Sequence, residues 1–308
     1  MNTNEFASKL FSQHPTRMYR KEKVPFLNTC TAAFEQLGYD EIELRSDQNM
    51  LGFQSKNLYI GPKNAEILFT AHYDTPGANG ILLFAGPVFG AAIGGVVGIL
   101  PFFALEFLLP LLLPNTAWGN LLSALLTLVL GVAFTAIFFI KNKHNHTDNT
   151  SGVVGVFAMA QRVAQDPELR QKCAFVLFDH EEVLPGLLGS RAFVKARSET
   201  KNCTVINFDC IGNGDAMAVM TKKKHELWHN ISTHLEHEGY CTKKVRGGLF
   251  SGGTSDHEPF PRGISLLLQK RSLLGPLYIP RIHTRRDTIC DLDGIETLAE
   301  AMVNYIKK

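Results

Sequence analysis

Short runs of this 308-residue chain carry acids and imidazoles of the kind that hold divalent metal. His72 and Asp74 stand in TAHYDTP, Asp148 in HTDNTSGVVG, Glu181 and Glu182 in DHEEVLPGLLGS, and Asp209 in NFDCIGNGD. Asp256 and His257 follow in SGGTSDHEPF, and His283 in IHTRRDT. Singly, each has a plain structural explanation. An HxD pair is most often hydrogen-bonded scaffolding, a lone Asp before small residues is a helix cap, and Asp256 suits a turn. Collectively they point to metal chemistry. Adjacent carboxylates such as Glu181 and Glu182 repel unless a proton or cation separates them, and several gathered at one mouth are costly without metal charge. Asp, Glu and His are the ligands expected of zinc, and cobalt or manganese would be accepted by the same set. Within an HxD, one residue can ligate while the other orients its imidazole.

His72, Asp74, Glu181, Glu182 and Asp209 follow apolar runs that read as strands, whereas Asp148 comes just before a helix start and His283 lies in the loop ahead of the last helix. Ala65–Ala71, Cys173–Phe178, Thr204–Phe208, Ala216–Met220 and Ile264–Gln269 have the continuous apolar character of a buried sheet. Between them, Val24–Leu37 reads as a helix closed by Gly38, Ser151–Ala164 as one capped by Thr150 or Ser151, and Gly294–Lys308 as a C-terminal helix. The alternation predicts an α/β fold with a mainly parallel central sheet covered by helices on both faces. In such sheets, sites collect at the carboxyl ends of the strands.

From Ile81 to Leu113 nearly every residue is apolar, with Glu106 the single charge; after Pro114–Asn120 a second run extends from Leu121 to Ile140. A bilayer core needs about 20 apolar residues per helix. Each run reads as one transmembrane span, the first with surplus, and Pro101 and Pro110 suggest a kink or an interfacial tail. The alternative, a pair of buried core helices, would be expected to show a polar face. Lys141 and Lys143 follow the second run while the loop between the runs has no Lys or Arg, which places both chain ends in the cytoplasm. The N-terminus, MNTNEFASKLFSQHP, lacks the apolar core of a signal peptide.

Net charge is +2 with the basic residues scattered, so nucleic acid is not an expected partner. Arg17, Arg20, Lys21 and Lys23 read as a solvated face, with contact to anionic lipid as the lesser alternative. Lys222–Lys224 reads as a solvated turn, and His144 and His146 as interfacial residues. The six cysteines form no CxxC pair, and Cys173, Cys203 and Cys210 read as buried reduced thiols.

In their order, HYD, DNTSG, DHEEVLPGLLGS, NFDCIGNGD, SDHEPF and IHTRRDT closely resemble the M28 family of zinc aminopeptidases and related exopeptidases. The resemblance covers the chain from about Ala65 to the C-terminus outside the insert. It implies two zinc ions bridged by Asp148, with His72 and Asp209 completing one shell and Glu182 and His283 the other. It makes Asp74 the residue that orients His72, and Glu181 the general base, which takes a proton from a water held between the ions and delivers it to the leaving amine. It sets Asp256 and His257 along the site, His257 as the candidate for stabilising the oxyanion. The family's modest surface loop between its HxD and its bridging Asp is here replaced by the apolar insert. Residues 1–80 and 141–308 would then form one discontinuous catalytic domain, and residues 81–140 a hairpin in the lipid bilayer. Links of seven residues from Asp74 to Ile81 and eight from Ile140 to Asp148 reach at most about 29 Å, so the centre is expected close to the bilayer surface. The expected protein is a membrane-anchored dinuclear zinc exopeptidase, foremost an aminopeptidase of short peptides. Two other readings stay open. One is an acyltransferase of the glutaminyl-cyclase type working with a single zinc, against which the full two-metal set argues. The other is a non-catalytic membrane receptor or scaffold, which would typically have lost ligands.

Overall fold

The computed structural model of the chain describes residues 1–247 and 253–308; Ser251 and Gly252, which open SGGTSDHEPF, lie outside the described residues. Nine strands occur among the described residues. They are β1 (Ile42–Gln48), β2 (Gln54–Ile60), β3 (Ile67–His72), β4 (Cys173–Phe178), β5 (Thr204–Phe208), β6 (Ala216–Thr221), β7 (Thr242–Arg246), β8 (Gly263–Arg271) and β9 (Leu277–Tyr278). The sheet order is β1-β2-β4-β3-β5-β8-β6-β7, with β9 paired to β8. Its centre, β4, β3, β5 and β8, is parallel as expected. The flanks make the sheet mixed: β1 with β2, β2 with β4 and β6 with β8 are antiparallel.

The helices are α1 (Thr3–Gln13), α2 (Arg20–Gln36), α3 (Gly86–Phe89), α4 (Ala91–Leu112) and α5 (Ala117–Ala136), followed by α6 (Gly152–Val163), α7 (Pro167–Lys172), α8 (Leu188–Ala196), α9 (Glu226–His237) and α10 (Leu292–Ile306). Both faces of the sheet are covered. Cys173, Phe175 and Leu177 of β4 face a core with Phe6 of α1, Phe34 of α2, Phe157 of α6 and Leu298 of α10. The alternate residues Ala174, Val176 and Phe178 face a second core with Phe193 of α8. A strand buried on both sides reads as a continuous apolar run, which is why β4 and β5 match their expected bounds.

Three local expectations are corrected. Helix α2 starts at Arg20 rather than Val24, because the Glu22 carboxylate accepts the Tyr19 N–H at 3.1 Å and closes the helix start there. Neither Thr150 nor Ser151 caps α6; Asn149 Oδ1 accepts the Gly152 N–H at 3.0 Å. Only glycine fits at 152, since a Cβ would lie 2.4 Å from the Phe208 carbonyl oxygen, so α6 starts directly on the end of β5. Finally, the basic run is not a solvated face throughout. Arg17 is fully buried, and Lys23 is buried with its ammonium 2.5 Å from Asp179. A buried charge needs such partners, and these two have them; Arg20 and Lys21 stay exposed. Lys222–Lys224 are exposed, and the six cysteines are free, with Cys173, Cys203 and Cys210 buried.

The insert leaves the sheet at the end of β3 and returns beside it. Gly77 bridges Lys141, and the Ala78 N–H donates to the Ile140 carbonyl at 2.8 Å, so both stems are closed together. The surplus of the first apolar run lies at its start: residues 79–89 fold into short helical turns against α4, and the chain reverses at Gly90. Pro101 and Pro110 lie within α4, which continues through both. Helices α4 and α5 are long and apolar enough to cross a membrane, and only 6% of each apolar window is buried. Phe107 is 73% exposed and Trp118 81%. Neither is a core helix of the domain.

Candidate metal centre

The parallel strands deliver their following residues to one edge. His72 closes β3, Asp179 to Glu182 follow β4, and Asp209 follows β5. Asp148 arrives on the loop before α6, its own peptide bond to Asn149 being cis, and His283 on the loop between β9 and α10.

Asp148 stands in the middle, with its two oxygens facing different partners. Oδ1 lies 3.3 Å from His72 Nε2, which is itself 3.8 Å from Asp209 Oδ1. Oδ2 lies 2.8 Å from His283 Nε2, which is 3.3 Å from Glu182 Oε1. His72, Asp148 and Asp209 form one group of possible ligands within 4.8 Å of one another, and Asp148, Glu182 and His283 form another. A tetrahedral zinc shell with arms of about 2.0–2.1 Å places neighbouring ligand atoms roughly 3.4 Å apart. The separations of 2.8–3.8 Å given above bracket that value, and the buried Asp148 Oδ1 has no hydrogen-bond donor. The donor set of each group is of the kind that could hold a divalent metal ion.

The electrostatics agree. Burial disfavours a charged imidazole, yet the nearby carboxylates of Asp148, Asp209 and Asp74 hold the His72 pKa well above its usual value. His283 is raised in the same sense against burial, by the charge of Glu182 and the hydrogen bond to Asp148. Burial also opposes the Asp148 carboxylate, but His283 and His72 hold it far below the carboxylate range. Burial pushes Glu181 well above its usual pKa, with Glu182 adding and His72 opposing. Burial pushes Glu182 up to about 7 against the attraction of His283. The cluster calls for positive charge, which divalent ions supply while leaving the imidazoles neutral and able to ligate.

Surrounding residues fix these groups. Asp74 meets His72 Nδ1 through its backbone carbonyl at 3.2 Å, its carboxylate being 3.7 Å away. That carboxylate instead accepts the N–H groups of Glu181 at 3.0 Å and Glu182 at 3.1 Å. It therefore holds the loop that carries both glutamates. Asp256 is fully buried and pushed up to about 7 by burial, within electrostatic reach of His72, Asp74 and Asp209. His257 is also fully buried, held neutral by burial with its pKa at about 3, and neither ring nitrogen has a hydrogen-bond partner among the described residues. It makes no hydrogen bond to the ligand cluster. His146 stacks on Phe11 with ring centroids 4.0 Å apart, and neither it nor His144 joins the cluster.

Several contributors were not singled out from the sequence. Asn79 Oδ1 lies 2.8 Å from His283 Nδ1, fixing the ring that faces Asp148. Asp287 accepts the Thr147 N–H at 2.9 Å and the Asp148 N–H at 3.1 Å, and burial pushes it up to about 6. Thr70 donates to Asn207 at 2.8 Å, Asn207 to Ser255 at 2.8 Å, and Ser255 to Asp209 at 2.5 Å. Buried Arg17 donates to the carbonyls of Tyr73 and His14 and to the Thr150 hydroxyl, tying together the loops of Asp74 and Asp148. Asp287 stands within the IHTRRDT run, four residues after His283. Arg17 and Asn79 carry no comparable signal.

Comparison with known proteins places this fold. The profile of peptidase family M28 matches residues 141–306, more than half of the chain. The chain belongs to peptidase family M28, and with it to the metallopeptidase hydrolases. That match begins after the insert, so β3 with His72 and Asp74 lies outside it. Among solved structures, the LapA aminopeptidase of Legionella pneumophila superposes with a TM-score of 0.61 at 16% identity, over 99% of this chain and 68% of that one. The glutaminyl cyclase of Porphyromonas gingivalis gives 0.66 at 14% identity, over 99% and 96%. A leucine aminopeptidase precursor of Bacteroides thetaiotaomicron gives 0.64 at 14%, over 99% and 95%. At these identities the likeness is one of fold. No curated protein sequence matches the chain significantly.

Proposed function

We propose that the chain is a dinuclear zinc aminopeptidase, formed by residues 1–80 and 141–308 and anchored in a membrane by a two-helix hairpin within residues 81–140. The observation that carries this reading is the division of Asp148, one oxygen toward His72 and Asp209 and the other toward His283 and Glu182. A single-ion site would have no use for the second cluster.

When bound, two zinc ions would lower the pKa of a water and polarise the scissile carbonyl. Glu181 then takes the proton of the attacking water, a role suited to a carboxylate whose burial raises its pKa. It returns that proton to the departing amine. Asp74, bonded to the N–H of both glutamates, keeps Glu181 beside Glu182 during the transfer. Asn79 and Asp287 hold His283 and the Asp148 backbone in place.

The test is to purify the full chain, measure its zinc content and challenge it with a panel of aminoacyl and peptidyl reporters. Two zincs per chain with release of amino-terminal residues is expected. A fully loaded protein that cleaves no member of the panel would sink the reading. The likeness to glutaminyl cyclases gives one further arm: ammonia released from a glutaminyl peptide without peptide cleavage would move the assignment there.

A further inference from the structure

Resting on the reading of the hairpin as membrane-spanning, we propose that the cleft between its base and the loop of His283 binds the phosphate of an anionic phospholipid. The cleft has a volume of about 200 Å³ and is lined by Leu83, Phe84 and Pro87 on one side and Tyr278, Arg281 and Arg286 on the other. The first wall belongs to the turns that lead into α4; the second belongs to the loop carrying a proposed metal ligand.

Charge and apolar surface are arranged there as at a bilayer interface. Arg281 and Arg286 are exposed and make no ion pair among the described residues, and no acidic side chain lines the cleft. Two unneutralised guanidiniums are a strong attraction for phosphate oxygens, which they can bind in a fork. Around them the surface is greasy. Ile81 is 64% exposed and Phe84 62%. The turn at Leu273 and Leu274, exposed at 83% and 65%, is tied to the same wall, its N–H groups donating to the Pro87 carbonyl at 3.0 Å and the Val88 carbonyl at 3.2 Å. Apolar surface continuous with a membrane hairpin belongs among acyl chains, and arginines at its edge lie at headgroup depth.

The cleft also touches the site. The Gly80 N–H donates to the His283 carbonyl at 3.1 Å, and a Cβ at Gly80 would lie 2.6 Å from that same carbonyl, so the two walls are in direct backbone contact.

The full chain in detergent micelles is titrated with phosphatidylglycerol or phosphatidylcholine, and bound lipid is counted by native mass spectrometry. The wild type should prefer phosphatidylglycerol by at least roughly tenfold, and the double variant Arg281→Gln/Arg286→Gln should bind it more weakly by roughly fivefold per arginine. Arg262→Gln, an exposed arginine away from the cleft, should bind as the wild type does. Equal phosphatidylglycerol binding by the wild type and the double variant overturns the site. So does displacement of the lipid by inorganic phosphate at equal concentration, which would mean a phosphate site with no lipid specificity. A raised KM for peptides with a free carboxyl end, with lipid binding intact, would assign the arginines to substrate instead. Extraction of the wild type from membranes by carbonate would overturn the membrane reading and this site with it, whereas a chain that stays in the membrane but shows no lipid preference loses only the site.

Discussion

Removing the Arg17 guanidinium should unlock the metal centre without touching a proposed ligand. Its Nε donates to the Tyr73 carbonyl at 2.5 Å, Nη1 to the His14 carbonyl at 2.8 Å and Nη2 to the Thr150 hydroxyl at 3.0 Å, while the group lies 5.1 Å over the Phe26 ring. Methionine at this position keeps the stem and loses all three donors. Each buried acceptor left unpaired costs about 1–3 kcal/mol, partly offset because a charge no longer has to be buried. Three such acceptors, less that offset, give a net loss of about 4 kcal/mol. For a domain of this size, that lowers the unfolding midpoint by roughly 8–16 °C. Zinc affinity discriminates between two effects of the change. Loss of a nearby positive charge alone would tighten cation binding at Asp148, whereas loss of loop position would weaken it. Position should dominate, since Arg17 joins the Asp74 and Asp148 loops directly. The assay is thermal unfolding of the full chain in micelles, with competitive zinc titration on the same preparations and Arg20→Met as the exposed control. A midpoint within about 2 °C of wild type, or tighter zinc binding by Arg17→Met, would refute the reasoning.

Glu181→Gln should retain both metals and the fold but lower turnover by at least roughly 10², and near-normal turnover with two metals present removes Glu181 from the mechanism. Asp148→Ala should empty both metal sites at once, while Asp209→Ala should weaken mainly the ion shared with His72; equal single-site losses in the two variants, read by metal analysis, contradict the bridging role. For topology, a membrane-impermeant thiol reagent applied to intact cells should label a cysteine placed at Asn115, in the loop between α4 and α5. Native Cys241, exposed on the domain, should react only after lysis; the reverse pattern puts the domain outside the cell, and labelling at both positions refutes two crossings.

The sheet was legible where burial left one option. The runs CAFVLF and TVINF had no polar face to confuse strand with loop, and both fell at their expected bounds. The flanking strand β1, IELRSDQ, is half exposed and rich in charge, so its place rests on pairing with β2 rather than on its own pattern. Similarly, the surplus of the first apolar run was visible, but not its position. Composition alone cannot tell a long span from a short one preceded by folded turns, and the reversal at Gly90 decides it.

The acids and imidazoles of the site were legible because groups able to hold metal are of few types, and His72, Glu181, Glu182 and Asp209 sit at or just after strand ends. Their supports obey no such restriction. An asparagine at 79 or a serine at 255 acquires its role from a partner more than forty residues away, Asn79 from His283 and Ser255 from Asp209. Arg17 and Lys23 show why a basic run misleads. Four cations within seven positions at a helix start resemble a solvated face, and for Arg20 and Lys21 they are one. The other two turn inward because the carboxyl edge of the sheet carries an excess of negative charge and strand-end carbonyls that need donors. Lys23 answers Asp179, and Arg17 answers the Tyr73 carbonyl beside Asp74 and Asp148. A site built from carboxylates thus draws fixed cations beneath it as well as leaving room for exchangeable ones above, and the fixed ones are placed by the fold rather than by any motif.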